Sequence, residues 1–185
     1  HPYTTSLRVI NWIYAWELFQ PAFDQDKDFT RFFLRSLYRQ CAFLSYHLEY
    51  QVGGNHLLVN AKALMFGGLF FEGRRSNKWR NKGQFLFIRE LEKQILADGG
   101  HYERTPGYHL IVMADVIECC QALKISGEQI WEDMVNKLKT MVQFAKVMAT
   151  PEQHFPLMND SAYDQVLDFG GLIAMAQYLS EEIPI

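Results

Sequence analysis

Glycine pairs and prolines cut this chain of 185 residues into stretches long enough for helices, and apolar residues recur within those stretches every three to four positions. Gly53-Gly54, Gly99-Gly100, Thr105-Pro106 and Pro151 are the strongest breaks. Nowhere does the clean period-two alternation of a half-buried strand compete with the helical spacing. Seven helices are predicted: Ser6 to Phe19, Phe29 to Tyr50, Asn55 to Phe71, Asn77 to Ala97, Thr105-Pro106 to about Lys124, Gly127 to Ala149, and Val166 to Leu179. Ser6 and Asn55 read as N-caps, and Thr105-Pro106 reads as a cap followed by proline at the first helical position. Pro21 is expected to end the first helix. Leu7, Ile10, Ile13, Tyr14 and Leu18 are expected to face inward from it, and Phe32, Phe33, Leu37, Phe43 and Leu44 from the second. Gly67-Gly68, inside the third helix, predicts a close neighbour there.

Short connections make consecutive helices antiparallel neighbours. Hairpins of roughly 40 to 50 residues suit an α-solenoid or an α/α toroid. A toroid can place its site at one rim, ahead of alternate helices, and seven helices make only part of such a ring. The expected fold class is therefore all-α, with antiparallel helix hairpins forming part of an incomplete (α/α) toroid. A chain of this length fits a single α-helical domain over residues 1–185.

A hydrophobic fraction of 49%, with 15% aromatic residues, argues against disorder. A net charge of −3 exerts no global pull on nucleic acid or anionic lipid, and no run of about 18 apolar residues spans a membrane. Neither is expected as a partner. The basic run Arg74, Arg75, Lys78, Arg80, Lys82 reads as a solvated turn. Cys41, Cys119 and Cys120 are too few for a disulfide framework. The chain opens directly into structured-looking sequence without Met and stops just after a helix, so it reads as a fragment. Partial helix arrays leave apolar faces uncovered, and a homodimer of the fragment is the expected consequence.

Nearly all the reactive side chains fall in three loops: Gly53-Gly54-Asn55-His56, Asp98 to His109, and His154 to Ser161. Each loop precedes a helix, and one other long helix lies between each opened helix and the next loop. Up-and-down alternation would thus gather Asn55, His56, His101, Tyr108, His109, His154 and Asn159 at one rim. Singly, each has a bland reading. Asn55 can be a cap, His56 a surface residue of a first turn, Tyr108 a packed ring, and Asn159-Asp160-Ser161 an ordinary turn cluster. As a set they offer neutral hydrogen-bonders, imidazoles and a phenol, beside helix N-termini that favour anions. Such a set suits proton abstraction next to a carboxylate. Asn55 and a protonated His56 would absorb charge on the carboxylate oxygens, and Tyr108 would take the proton and return one to the leaving oxygen. That reaction is β-elimination on a uronic acid, and it needs no cofactor and no metal.

Gly54-Asn55-His56, opening a helix that runs to Gly68-Leu69-Phe70-Phe71, resembles the N-terminal catalytic domain of heparinase II/III-like polysaccharide lyases. Asp98-Gly99-Gly100-His101-Tyr102-Glu103-Arg104-Thr105-Pro106-Gly107-Tyr108-His109 is similar to that family's Asp-Gly-x-His-x-Glu-x-Ser-Pro-x-Tyr-His motif, with Thr105 in place of serine. Phe155-Pro156-Leu157-Met158-Asn159-Asp160 resembles its Asn-Asp loop, and Arg8 with Asn11-Trp12 resembles an early helix of its toroid. The resemblance covers nearly the whole chain. It implies lyase action on an anionic, uronate-containing polysaccharide or oligosaccharide. Asn55 and His56 would neutralise the substrate carboxylate, and Tyr108 would be the catalytic acid and base. Arg8, His101, Glu103 and Arg104 are candidate substrate-binding residues, as are His109, Asn159 and Asp160. The family also implies helices upstream, a β-sandwich domain downstream that supplies a further catalytic His, and a periplasmic or extracellular location.

Two other readings remain open at this level. An α/α-toroid glycoside hydrolase would use Asp98, Glu103 or Asp160 as acid and base, with two carboxyls about 6.5–9.5 Å apart if inverting. A glycan-binding domain without catalysis would bind the same polymer and create no new ends. A metal site from Asp98, His101, Glu103 and His109 is a minor variant whose spacing matches no established ligand pattern.

Overall fold

The computed structural model describes residues 1–152, 154–163 and 168–182, the last three as backbone only. Its elements are α1 (Pro2–Leu18), α2 (Gln20–Gln25), α3 (Lys27–Leu44), α4 (Gly54–Phe70), α5 (Arg74–Gln94), α6 (Pro106–Ile125), α7 (Glu132–Met148) and α8 (Phe169–Glu182). The protein is all-α. The sole pairing of extended backbone among the described residues is an isolated antiparallel bridge between Ile95 and His101. The chain divides into two compact units, His1–Phe87 and Ile88–Ile185, with the division falling inside α5.

In the first unit α1 packs on α3 and α4, and α3 on α2 and α4. Every residue of α4 from Leu57 to Gly68 is buried, so this helix is surrounded rather than half-wet. Trp12 stacks on Phe33 at 4.9 Å between ring centroids, and Phe23 lies 4.7 Å from Phe33 and 4.8 Å from Trp16. In the second unit α6, α7 and α8 pack on one another. Cys41, Cys119 and Cys120 are buried free thiols, and burial pushes Cys41 and Cys120 up to about 12.

Several helix ends differ from the sequence expectation, each for a local reason. The first helix begins at Pro2, whose fixed φ suits an opening turn, so Ser6 lies inside it and is fully buried rather than capping. Pro21 follows the end of α1 but also opens α2, a short helix not foreseen. The second predicted helix stops at Leu44 instead of Tyr50. There Ser45 Oγ donates to the Ala42 carbonyl at 2.7 Å and the His47 ring to the Phe43 carbonyl at 2.8 Å, satisfying orphan acceptors of the last turn. Gly127 closes α6 and does not open α7. At φ 67° its N–H donates to the Lys124 carbonyl, and the Glu128 N–H donates to that of Leu123, the paired bonds of a Schellman stop. The basic run from Arg74 belongs to the first turns of α5 and is not a loop. Of the last predicted helix, Val166 and Leu167 lie outside the described residues; α8 starts at Phe169, with Asp168 Oδ1 accepting the Gly171 N–H.

The inward faces were half right. Ile10, Ile13, Phe33, Leu37 and Leu44 are buried. Leu18 (74%) and Phe32 (67%) are largely exposed, and Leu7, Tyr14 and Phe43 are near 40%. Phe32 and Phe33 are neighbours about 100° apart around a helix, so one core cannot hold both equally.

Candidate functional site

The first unit carries its candidate residues on the opening turn of α4. Gly53 has φ 69° and Gly54 φ 51°, a left-handed entry that glycine adopts without Cβ strain. Gly53 takes the N-cap position, so Asn55 lies within the first turn and makes no capping bond, contrary to its expected role. Asn55 is half-buried, and its Oδ1 is buried with no hydrogen-bond partner among the described residues. His56 follows, with 40% of its side chain exposed. Its ring stacks on Tyr3 at 4.3 Å, and its Nδ1 lies 3.3 Å from Glu49 Oε1. No acidic residue occupies the first turn of α4 itself.

Behind His56 is a polar network not foreseen from spacing or composition. Glu49 is 8% exposed, and Oε1 also lies 3.3 Å from His1 Nδ1. Asn60, fully buried one turn along α4, donates through Nδ2 to Glu49 Oε2 at 3.2 Å and to Ser6 Oγ at 3.0 Å. The Asn60 Oδ1 accepts the Glu49 backbone N–H at 3.0 Å. Arg8 is exposed on α1, and its Nε donates to Gln40 Oε1 of α3.

In the second unit the long motif wraps the start of α6. Pro106 stands in the first turn, as the spacing predicted. Thr105 is at the N-cap but makes no side-chain cap; the Gly107 N–H is instead taken by Ser161 Oγ at 2.9 Å, from 54 residues further on. A second tie joins the same two segments: Asn159 Nδ2 donates to the Arg104 carbonyl at 2.7 Å. Arg104 and Asn159 both adopt left-handed φ, 55° and 52°. Tyr108 is half-buried in the first turn of α6 and makes no hydrogen bond to a described residue. Glu103, Asp160 and His154 are exposed.

His101 and His109 are not at a surface. They are 2% and 1% exposed and line a cavity of about 470 Å³ with Asp98, Arg104, Phe144, Met148 and Met158 among its walls. Burial first, then neighbouring His109, drops His101 to about 4. Burial likewise drops His109 to about 4, against the upward pull of the Met141 carbonyl and Asp98. Both rings are neutral at neutral pH. His109 donates Nε2–H to the Met141 carbonyl at 3.1 Å, and His101 Nε2 lies 3.3 Å from Gln94 Oε1, leaving both Nδ1 atoms buried without partners among the described residues. Among the described residues no group of three or more His, Cys, Asp or Glu side chains could hold a metal ion. No described helix is long and apolar enough to cross a membrane.

The sequence model of one family, Heparinase II/III N-terminus, matches residues 2–175. A heparin-sulfate lyase of Pedobacter heparinus is 30% identical over 146 residues, covering 77% of this chain and 21% of that protein. The crystal structure of heparan sulfate lyase HepC from Pedobacter heparinus has a similar fold, with TM-score 0.71 at 28% identity, over 87% of this chain and 25% of that one. A crystal structure of heparinase III gives 0.74 at 24% identity, over 82% of this chain and 23% of its own, a likeness of fold alone. These likenesses bear out the all-α, toroid-type fold class. The chain spans about a fifth to a quarter of the length of these proteins.

Proposed function

This chain belongs to the heparinase II/III N-terminal family, and we propose that it forms part of a lyase that cleaves a uronate-containing, sulfated polysaccharide by β-elimination. Membership of a polysaccharide-lyase family follows from the match over residues 2–175. The sulfated substrate follows the names of the relatives, which are heparin- and heparan-sulfate lyases. The observation that supports the chemistry most directly is the opening turn of α4. Asn55 and a half-exposed His56, oriented by Glu49, stand there together at a helix N-terminus whose first turn holds no acidic residue.

In this reading Asn55 Nδ2 and the Nε2–H of a protonated His56 donate hydrogen bonds to the uronate carboxylate, whose oxygens gain charge as the proton on C5 leaves. Tyr108, acting as a phenolate, takes that proton on its phenolic oxygen. The C5 electron pair forms the C4–C5 double bond, the bond from C4 to its glycosidic oxygen breaks, and Tyr108 hands the proton to that oxygen. No metal is needed in this reading, because the helix N-terminus, the amide and the imidazolium together offset the carboxylate's charge. Arg8, Glu103, Arg104, Asn159 and Asp160 remain proposed substrate contacts, and His101 and His109 enter as neutral acceptors.

Tyr108→Phe in the intact natural protein is the test. The ring still packs, so the melting temperature should hold. Release of ultraviolet-absorbing unsaturated ends from uronate polysaccharides should fall by roughly 10²–10⁴-fold. Near-normal turnover would remove Tyr108 from the reaction and favour hydrolysis or plain glycan binding.

A further inference from the structure

We infer that Glu49 is a positioning residue for this site: its buried carboxylate accepts the Nδ1–H of His56, so that Nε2 is the nitrogen turned to the substrate, where it donates when the ring carries its second proton. The inference rests on the role given to His56 above. A carboxylate taken out of water is costly unless several donors compensate it, so a solitary one below the surface needs a reason. Glu49 Oε1 faces His56 Nδ1 and His1 Nδ1, each at 3.3 Å, and Oε2 accepts from Asn60 Nδ2 at 3.2 Å. Since a carboxylate only accepts, His56 must carry its proton on the nitrogen that faces it. The hydrogen bond made by one imidazole nitrogen fixes what the other can do.

Orientation is fixed as firmly as tautomer. Tyr3 covers one face of the His56 ring at 25° between planes. Asn60 spends its amide on both the backbone and the carboxylate of Glu49, and its second donor contact anchors the pair to Ser6 of α1. The loop that follows α3 is thereby tied to the helix that carries His56, with Glu49 as the knot. A merely structural knot would need the Asn60 bonds alone; the contact with a half-exposed imidazole adds nothing to burial and so indicates a positioning role.

The experiment reads the ring nitrogens of His56 by ¹⁵N spectroscopy in ¹⁵N-histidine-labelled protein, with the signal assigned by its loss in His56→Gln. The wild type should show a proton-bearing Nδ1. Glu49→Gln should shift the ring toward a mixture of forms, and Glu49→Asp should restore the wild-type pattern in part. A proton resident on Nε2 alone in the neutral wild-type ring, or a pattern unchanged in folded Glu49→Gln, overturns the inference. On a cleaved substrate, Glu49→Gln should lower kcat by about tenfold or more with KM nearly unchanged, and should cost nothing further in a His56→Ala background. Additive losses would assign Glu49 to the scaffold only. If the wild type forms no unsaturated product, the lyase reading falls while the ring spectrum still decides the role of Glu49.

Discussion

Asn55 shows how a polar residue at a helix start can be free of any capping duty, which leaves it available for the role proposed above. It was expected to cap α4, yet Gly53 holds that position and the Asn55 Oδ1 is buried without a partner among the described residues. An unmet buried acceptor is a cost, so Asn55→Ala should leave the melting temperature unchanged or raise it, while turnover falls because the hydrogen bond strengthens as charge develops. A loss of stability by about 1 kcal/mol, the usual cost of losing a cap, would restore the bland reading. The first-turn positions of Asn55, His56 and Tyr108 were legible in the sequence because each follows a local break. Glu49 was not. It lies in a stretch that the apolar spacing assigned to a helix, and nothing about Leu48-Glu49-Tyr50 announces that the chain turns back there toward Asn60.

At the scale of elements, the close approach of α4 and α5 rests on missing side chains. A Cβ on Gly83 would meet Met65 N at 2.5 Å and the Ala61 carbonyl oxygen at 2.6 Å; one on Gly68 would meet Arg80 N at 2.3 Å. These are backbone atoms and cannot rotate away. Alanine is the better helix former, yet Gly83→Ala should destabilise the protein by about 1–3 kcal/mol through overpacking, measured by urea titration. A gain in stability would mean that the two helices separate freely. Gly67-Gly68 announced this contact in the sequence, although Gly83, its counterpart on α5, did not stand out from an otherwise polar run. The same ambiguity misled at Gly127. A glycine between two apolar segments can start a helix or stop one, and only the pair of bonds back to Leu123 and Lys124 decides.

For the molecule as a whole, His101 and His109 tie stability to acidity. Both are held near 4, below the ordinary value near 6.5, so the unfolded chain binds protons that the folded chain refuses. Stability is therefore full above about pH 6.5 and declines as pH falls toward 4. At about 1.4 kcal/mol per pH unit, each imidazole contributes up to about 3 kcal/mol to that loss. Urea denaturation at a series of pH values should show the slope, and His109→Gln should flatten it; an equal slope in that variant would place the acid sensitivity elsewhere. None of this was visible in the motif, which presents both histidines as loop residues, because burial is a property of the packing of α6 and α7 and not of spacing. One last feature keeps time. The Gly107 amide is held by a hydroxyl 54 residues away, so its proton can be traded with solvent only when the segment bearing Ser161 lets go. In deuterated water that single amide is a clock for the loop. Ser161→Ala should make it run roughly fivefold faster while amides deeper in α6 keep their pace, and an oligosaccharide that settles on the loop should slow it before any bond is broken.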